Sequence, residues 1–133
     1  MEHIVENVKT FSPLEVCTER ENEILEKIAD AMAGIPTIPC TSCAYCMPCP
    51  FGVNIPGNFS FYNNAVNDGL LPLPESTASD YGKRKEKLVN AYRKAIPASE
   101  SASRCINCGA CMAKCPQQIR IPNQMGRIAG LQL

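Results

Sequence analysis

Tryptophan is missing from the 133 residues, and tyrosine and phenylalanine number only four each. With so few large aromatic side chains and 11 prolines, the chain has little material for a broad apolar core. Small scaffolds in that position lean on metals or cross-links for their stability. No uninterrupted apolar stretch approaches the length needed to cross a bilayer. The opening residues, Met1-Glu2-His3-Ile4-Val5-Glu6, have neither the basic nor the apolar region of a secretory signal. A cytoplasmic chain without a membrane span is expected. Period-two alternation of useful length is also missing, so strands are not expected and the fold should be all-α.

Cysteine, by contrast, is abundant, at nine residues. In an oxidising compartment that count would suggest disulfides; in a reducing one it suggests metal. Eight of the nine fall in two short runs: residues 40–50 read CTSCAYCMPCP and residues 105–116 read CINCGACMAKCP. Each run sets three thiols at C-x2-C-x2-C spacing and a fourth immediately before a proline. Cysteines at every third position of a tightly turned segment wrap one corner of an iron–sulfur cube, each sulfur meeting a different iron. Thiolate is the matching donor, being soft and deprotonated on binding.

The fourth iron needs a thiol from elsewhere. In two-cluster ferredoxins the Cys before Pro in one run ligates the cluster held by the other run. On that pattern one [4Fe-4S] cluster takes Cys40, Cys43, Cys46 and Cys115, and the second takes Cys105, Cys108, Cys111 and Cys49. The second run has the usual three-residue spacer before its last Cys, whereas the first has only Met47 and Pro48. Cys49 is therefore assigned on a weaker pattern than Cys115.

The repeat extends past the cysteines. Residues 49–58 align with residues 115–124, sharing Cys-Pro, then a branched apolar residue (Val53, Ile119), then Ile-Pro (Ile55-Pro56, Ile121-Pro122). Proline suits the first turn of a helix, where its missing N–H would have no partner anyway. Each run should thus lead into a helix beginning near Pro56 or Pro122, giving two Cys-loop-helix halves with pseudo-twofold symmetry.

Elsewhere, Thr18 and Glu21 form a capping-box pattern, and Ile24, Leu25, Ile28 and Met32 fall on one helical face, predicting a helix over 19–33 ended by Gly34 and Pro36. The stripe suggests packing against the cluster domain or a preceding domain. Phe59, Tyr62 and Val66 mark a helix stopped by Asn67, Asp68 and Gly69. Leu88, Tyr92 and Ile96 mark another over 83–96, closed by Pro97. Met125, Ile128 and Leu131 mark a last one. Residues 1–17, with Phe11, Ser12 and Pro13, read as punctuation rather than helix core. Residues 70–80 read as a mobile loop. Lone His3 reads as a solvated side chain, and lone Cys17 as a small packing residue.

Charge is balanced overall but uneven: residues 1–30 hold eight acids against three bases, and residues 83–127 hold ten bases against two acids. Basic residues near the second run offset the negative charge of thiolate-bound clusters. Lys83, Arg84, Lys85 and Lys87 read first as a solvated face, with docking of an acidic redox partner as the functional alternative. A nucleic-acid surface lacks the aromatic interleaving it would need, so no nucleic-acid partner is expected.

Two cysteine runs separated by a helical insertion resemble the α-helical ferredoxin superfamily. The stretches IPCTSCAYCMPCPFGVNIPGNFSFYN and RCINCGACMAKCPQQIRIP are more closely similar to the C-terminal 4Fe-4S segment of ferredoxin-containing aldo/keto reductases. EHIVENVKTFSPL, residues 2–14, resembles the end of that family's barrel, where its last helix enters the linker. The short Met47-Pro48 spacer also resembles that family's pattern. The resemblance implies a connector over 1–39 and a two-cluster domain over 40–133. It further implies a reductase barrel in cis or in trans, and a redox partner such as a flavoprotein or ferredoxin. The barrel's catalytic residues have no counterpart in this sequence, so no substrate active site is expected here. Met1 is then either an internal methionine of a longer reductase or the start of a separately encoded module.

Three functions compete on this reading: electron transfer through the clusters, clusters that only position a reductase, and zinc binding. Zinc sites are often built from C-x2-C pairs, but four thiols crowded into each run, with Pro after the last, suit paired zinc ribbons poorly.

Overall fold

The computed structural model describes residues 1–71 and 78–131, and these divide into two units, Met1–Ile35 and Pro36–Leu133. The first unit is two helices with no buried residue: α1 (Glu2–Phe11) and α2 (Glu19–Ala33). The capping box of α2 is formed in both directions. The Glu21 N–H donates to Thr18 Oγ1 at 3.3 Å, and the Thr18 N–H donates to Glu21 Oε2 at 2.8 Å. The bond from the Thr18 N–H and, as the smaller cause, one from the Thr18 hydroxyl to the same Oε2 at 2.8 Å hold the Glu21 carboxyl below its ordinary pKa. Ile24, Leu25, Ile28 and Met32 share a face and remain exposed, so the stripe has no partner within its own unit.

Two expectations for this region need correction. Residues 2–11 are helical rather than punctuation: Ile4, Val5, Val8 and Phe11 recur at helical spacing, and the helix stops only at Ser12-Pro13, where proline disfavours α geometry in the residue before it. Cys17 is exposed rather than packed, because the stretch between α1 and α2 has no core to enter. His3 is solvated, as its terminal position implies.

The second unit contains α3 (Ile55–Asn67), α4 (Ala78–Ala95), α5 (Ile121–Gly130) and three short 3₁₀ turns at Ala98–Glu100, Ala102–Arg104 and Met112–Lys114. Among the described residues there are no strands, and no helix is long and apolar enough to cross a membrane. Pro56 and Pro122 sit in the first turns of α3 and α5. The Asn54 side chain caps α3 by accepting from the Gly57 N–H at 3.0 Å. The buried faces follow the apolar spacing: Phe59 and Tyr62 on α3, Leu88 and Tyr92 on α4, Met125 and Ile128 on α5. Arg127 of α5 lies over the Tyr62 ring, 4.9 Å from its centroid.

α4 begins at Ala78, five residues before the position its apolar pattern marks. Asp80 places an acid in its first turn, which favours the helix dipole. Arg84 η1 donates to the Gly69 carbonyl at 2.9 Å, tying the early part of α4 to the end of α3. Arg84 therefore has a structural partner and is not simply part of a solvated face. Of the loop expected over 70–80, residues 72–77 lie outside the described residues.

A buried polar network joins these elements. Asn58, fully buried, donates from Nδ2 to the Asn54 and Glu100 carbonyls at 2.7 and 3.0 Å. Its Oδ1 accepts from the Tyr92 hydroxyl. That hydroxyl in turn accepts from the Ala102 N–H at 2.9 Å. Each buried polar group so paired avoids a desolvation cost of about 1–3 kcal/mol. The network fixes α3 and α4 against the segment that leads into the second cysteine run.

Candidate metal centres

Both cysteine runs are shaped by the same backbone device. Ser42 and Ala44 have φ of +56° and +61°, and the equivalent Asn107 and Gly109 have +62° and +76°. After the pre-proline cysteines, Gly52 and Gln118 repeat the match at +78° and +52°. The hydrogen bonds repeat too. Met47 and Met112 N–H donate to the Ala44 and Gly109 carbonyls, both at 2.9 Å, and Gly52 and Gln118 N–H donate to the Cys49 and Cys115 carbonyls at 3.0 and 3.1 Å. Left-handed residues alternating with right-handed or extended ones reverse the chain repeatedly, curling each run into the kind of concave turn that binds anionic groups, iron–sulfur centres among them. Three of these six positions, Ser42, Ala44 and Gln118, carry side chains that disfavour φ > 0, so the surrounding contacts must impose the shape there.

The approaches are held as firmly. Asn63 on α3 accepts from the Ile38 N–H and donates to the Ile38 carbonyl, both at 2.8 Å, fastening the chain two residues before Cys40. On the other side, the Tyr92–Ala102 bond fastens the chain three residues before Cys105.

Two cavities result, of about 480 and 320 Å³ including their open mouths. Cys105, Cys108, Cys111 and Cys49 line the larger; Cys40, Cys43, Cys46 and Cys115 line the smaller. Each thus has three thiols of one run and the pre-proline thiol of the other in its wall, the larger also meeting Cys46. Cys46 and Ile121 border both cavities, so the two sites are neighbours. Elsewhere the walls are mainly apolar, including Val53 and Met125 around one and Phe59 and Ile119 around the other.

Burial raises the pKa of the Cys46 and Cys111 thiols; each residue's own backbone N–H opposes this, and neighbouring thiols add to the rise. For Cys46 those neighbours are Cys40, Cys115 and Cys43; for Cys111 they are Cys105, Cys108 and Cys46. Four thiolates so grouped repel one another unless a cationic core lies among them, which is the charge balance that bound iron supplies. Four thiolates on one zinc ion, at about 2.3 Å each, would meet almost at a point. Here each set of four thiols borders a cavity with largely apolar walls. The donor set fits a four-iron core in each cavity.

Cys17, in the other unit, belongs to neither set. Asn58, Asn63 and Tyr92, which hold the cysteine runs in place, were not marked by motif. Tyr92 was marked only as part of an apolar helix face and Asn58 only by its alignment with Gln124, and that pair is not equivalent: Gln124 Oε1 is buried without a hydrogen-bond partner among the described residues.

All-helical elements around two thiol-lined cavities define a small helical ferredoxin-type iron–sulfur protein. A family model described as a 4Fe-4S dicluster domain matches residues 39–121, and the chain belongs to that family. Its cofactors are two [4Fe-4S] clusters and its chemistry is iron–sulfur electron transfer. Neither a curated protein nor a solved structure gives a match.

Proposed function

We propose that this chain relays single electrons between an external redox partner and an aldo/keto reductase-like oxidoreductase, as a module of that enzyme or as its separate subunit. One cluster is held by Cys40, Cys43, Cys46 and Cys115, the other by Cys105, Cys108, Cys111 and Cys49. The observation that carries the relay is the crossed lining of the two cavities, together with Cys46 and Ile121 bordering both. With every iron given a thiolate, no open coordination position remains for a substrate, so the clusters pass electrons rather than transform a bound molecule.

The reductase connection rests on the resemblance of residues 2–14, 38–63 and 104–122 to that family's C-terminal segment. Residues 1–39 are read as connector and residues 40–133 as cluster domain. The separate helical unit ending at Ile35 and the family match beginning at residue 39 support that division.

The test is anaerobic purification with iron and sulfide quantified, followed by low-temperature EPR of the reduced protein. About eight irons and eight sulfides per chain, as two four-iron clusters require, with spin–spin coupling between reduced clusters, is the expected result. Zinc without sulfide, or one cluster alone, would overturn the relay. Adding a reductase barrel of this family then asks whether reduced chain is reoxidised in the presence of its carbonyl substrate. Clusters that stay reduced would leave them a positioning role.

A further inference from the structure

The two cavity walls differ in charge. Lys114 lines the larger, together with Cys105, Cys108 and Cys111 of the second run. Among the described residues no charged side chain lines the smaller, where Thr41 and Gln117 supply the polar groups. The difference starts in the sequence: Met112, Ala113 and Lys114 separate Cys111 from Cys115, whereas Met47 and Pro48 alone separate Cys46 from Cys49. The place just before Cys49 is therefore taken by a proline, and the first run has no equivalent cation.

Reduction adds one negative charge to a centre whose thiolates already make it anionic, and nearby positive charge favours that state. An opposing influence exists in the smaller cavity, where the Ser42 N–H donates to Cys40 Sγ at 3.4 Å. A single long N–H···S dipole is weaker than a full charge at comparable range. We propose that Lys114 raises the reduction potential of the cluster in the larger cavity above that of its neighbour, making it the resting place of the first electron. The inference rests on the two-cluster relay and on the crossed ligand sets.

A one-electron donor, dithionite in the assay, loses one electron and takes one core from its 2+ to its 1+ state. Transfer inside the chain then oxidises one core as it reduces the other, and no bond is made or broken.

Lys114 is exposed, so solvent screens part of its effect. A threefold to tenfold change in the one-electron equilibrium constant is expected, tenfold being about 59 mV. The experiment is an EPR-monitored redox titration of the full chain carrying Lys114→Gln, Lys114→Arg or Gln117→Lys, with iron and sulfide counted in each. Lys114→Gln should lower one of the two midpoints and leave the other in place. Lys114→Arg should leave both near their original values. Gln117→Lys, which adds a cation to the smaller cavity, should raise the midpoint that Lys114→Gln does not move. Full cluster content with unmoved midpoints, equal shifts in both, or both variants acting on the same midpoint would overturn the role of Lys114 alone. Failure of the unmodified chain to hold two clusters would overturn the relay as well.

Discussion

Replacing Tyr92 by Phe removes one oxygen atom and leaves the ring in place against Phe61, whose centroid lies 5.1 Å away in an edge-on arrangement. The hydroxyl makes two bonds in a region closed to water, donating to Asn58 Oδ1 and accepting from the Ala102 N–H. Burial accordingly raises the Tyr92 phenol pKa, and the bond from Ala102 partly opposes that rise. Without the hydroxyl, two buried groups lose their partner, at about 1–3 kcal/mol each, or about 2–6 kcal/mol together. That is a large share of the about 5–15 kcal/mol that stabilises an ordinary domain. Ala102 opens the turn that delivers Cys105, so the second cysteine run should loosen with the fold. Anaerobic urea titration of the holoprotein, followed by visible iron–sulfur absorbance and helical circular dichroism, reads the loss directly. At about 2 kcal/mol per M, the midpoint should fall by roughly 1–3 M. Tyr45→Phe, at an exposed tyrosine, should leave it unchanged. A Tyr92→Phe midpoint within about 0.3 M of the parent, less than about 1 kcal/mol at that slope, would refute the claim that this network holds the second run.

Asn63→Ala deletes both bonds to Ile38 and should speed loss of iron to a chelator, most visibly for the cluster whose run begins at Cys40; unchanged release kinetics would count against the fastening role. Gly109→Ala should cost about 1 kcal/mol, because its φ of +76° disfavours a side chain although no atom lies within 4 Å of the added Cβ. The converse Ala44→Gly should gain no more than that, and both are read from urea midpoints. The Glu21 carboxyl, with its pKa lowered by the Thr18 cap, contributes to α2 above its unfolded pKa and loses that contribution as pH falls through the lower folded value. NMR titration of the full chain should therefore find Glu21 protonating below the ordinary carboxylate range, and Thr18→Ala, which removes the hydroxyl bond but keeps the larger one from the backbone N–H, should lessen the difference without abolishing it.

What could be read in advance was what the chain encodes locally. Cysteine spacing marked the two runs, prolines marked the first turns of α3 and α5, and the Thr18/Glu21 pair marked the start of α2. Apolar spacing identified Phe59, Tyr62, Leu88, Tyr92, Met125 and Ile128 as inward-facing. Less legible were features set by contacts between distant segments. Asn58 and Asn63 look like ordinary polar helix residues until their partners 42 and 25 positions away are known. The early start of α4 belongs with these, since Arg84 anchors it to Gly69, 15 residues earlier. α1 is a different case: its helical spacing was present, but the Phe11-Ser12-Pro13 stop obscured it.

The left-handed positions show both sides of this. Gly52 and Gly109 suit positive φ by composition, but Ser42, Ala44, Asn107 and Gln118 adopt it in register with their counterparts because the run must turn there. The repeat in sequence thus understates the repeat in backbone shape.

The crossed pairing of the two runs is tested most directly by comparing three single variants, Cys43→Ser, Cys108→Ser and Cys115→Ser, by iron content and by EPR of the reduced protein. Cys115 lies in the second run but lines the cavity of the first. The account predicts that Cys115→Ser alters the same EPR signal as Cys43→Ser and spares the one altered by Cys108→Ser. If Cys115→Ser instead matches Cys108→Ser, each run holds its own four-thiol cluster, and the crossed arrangement at the centre of this account is contradicted.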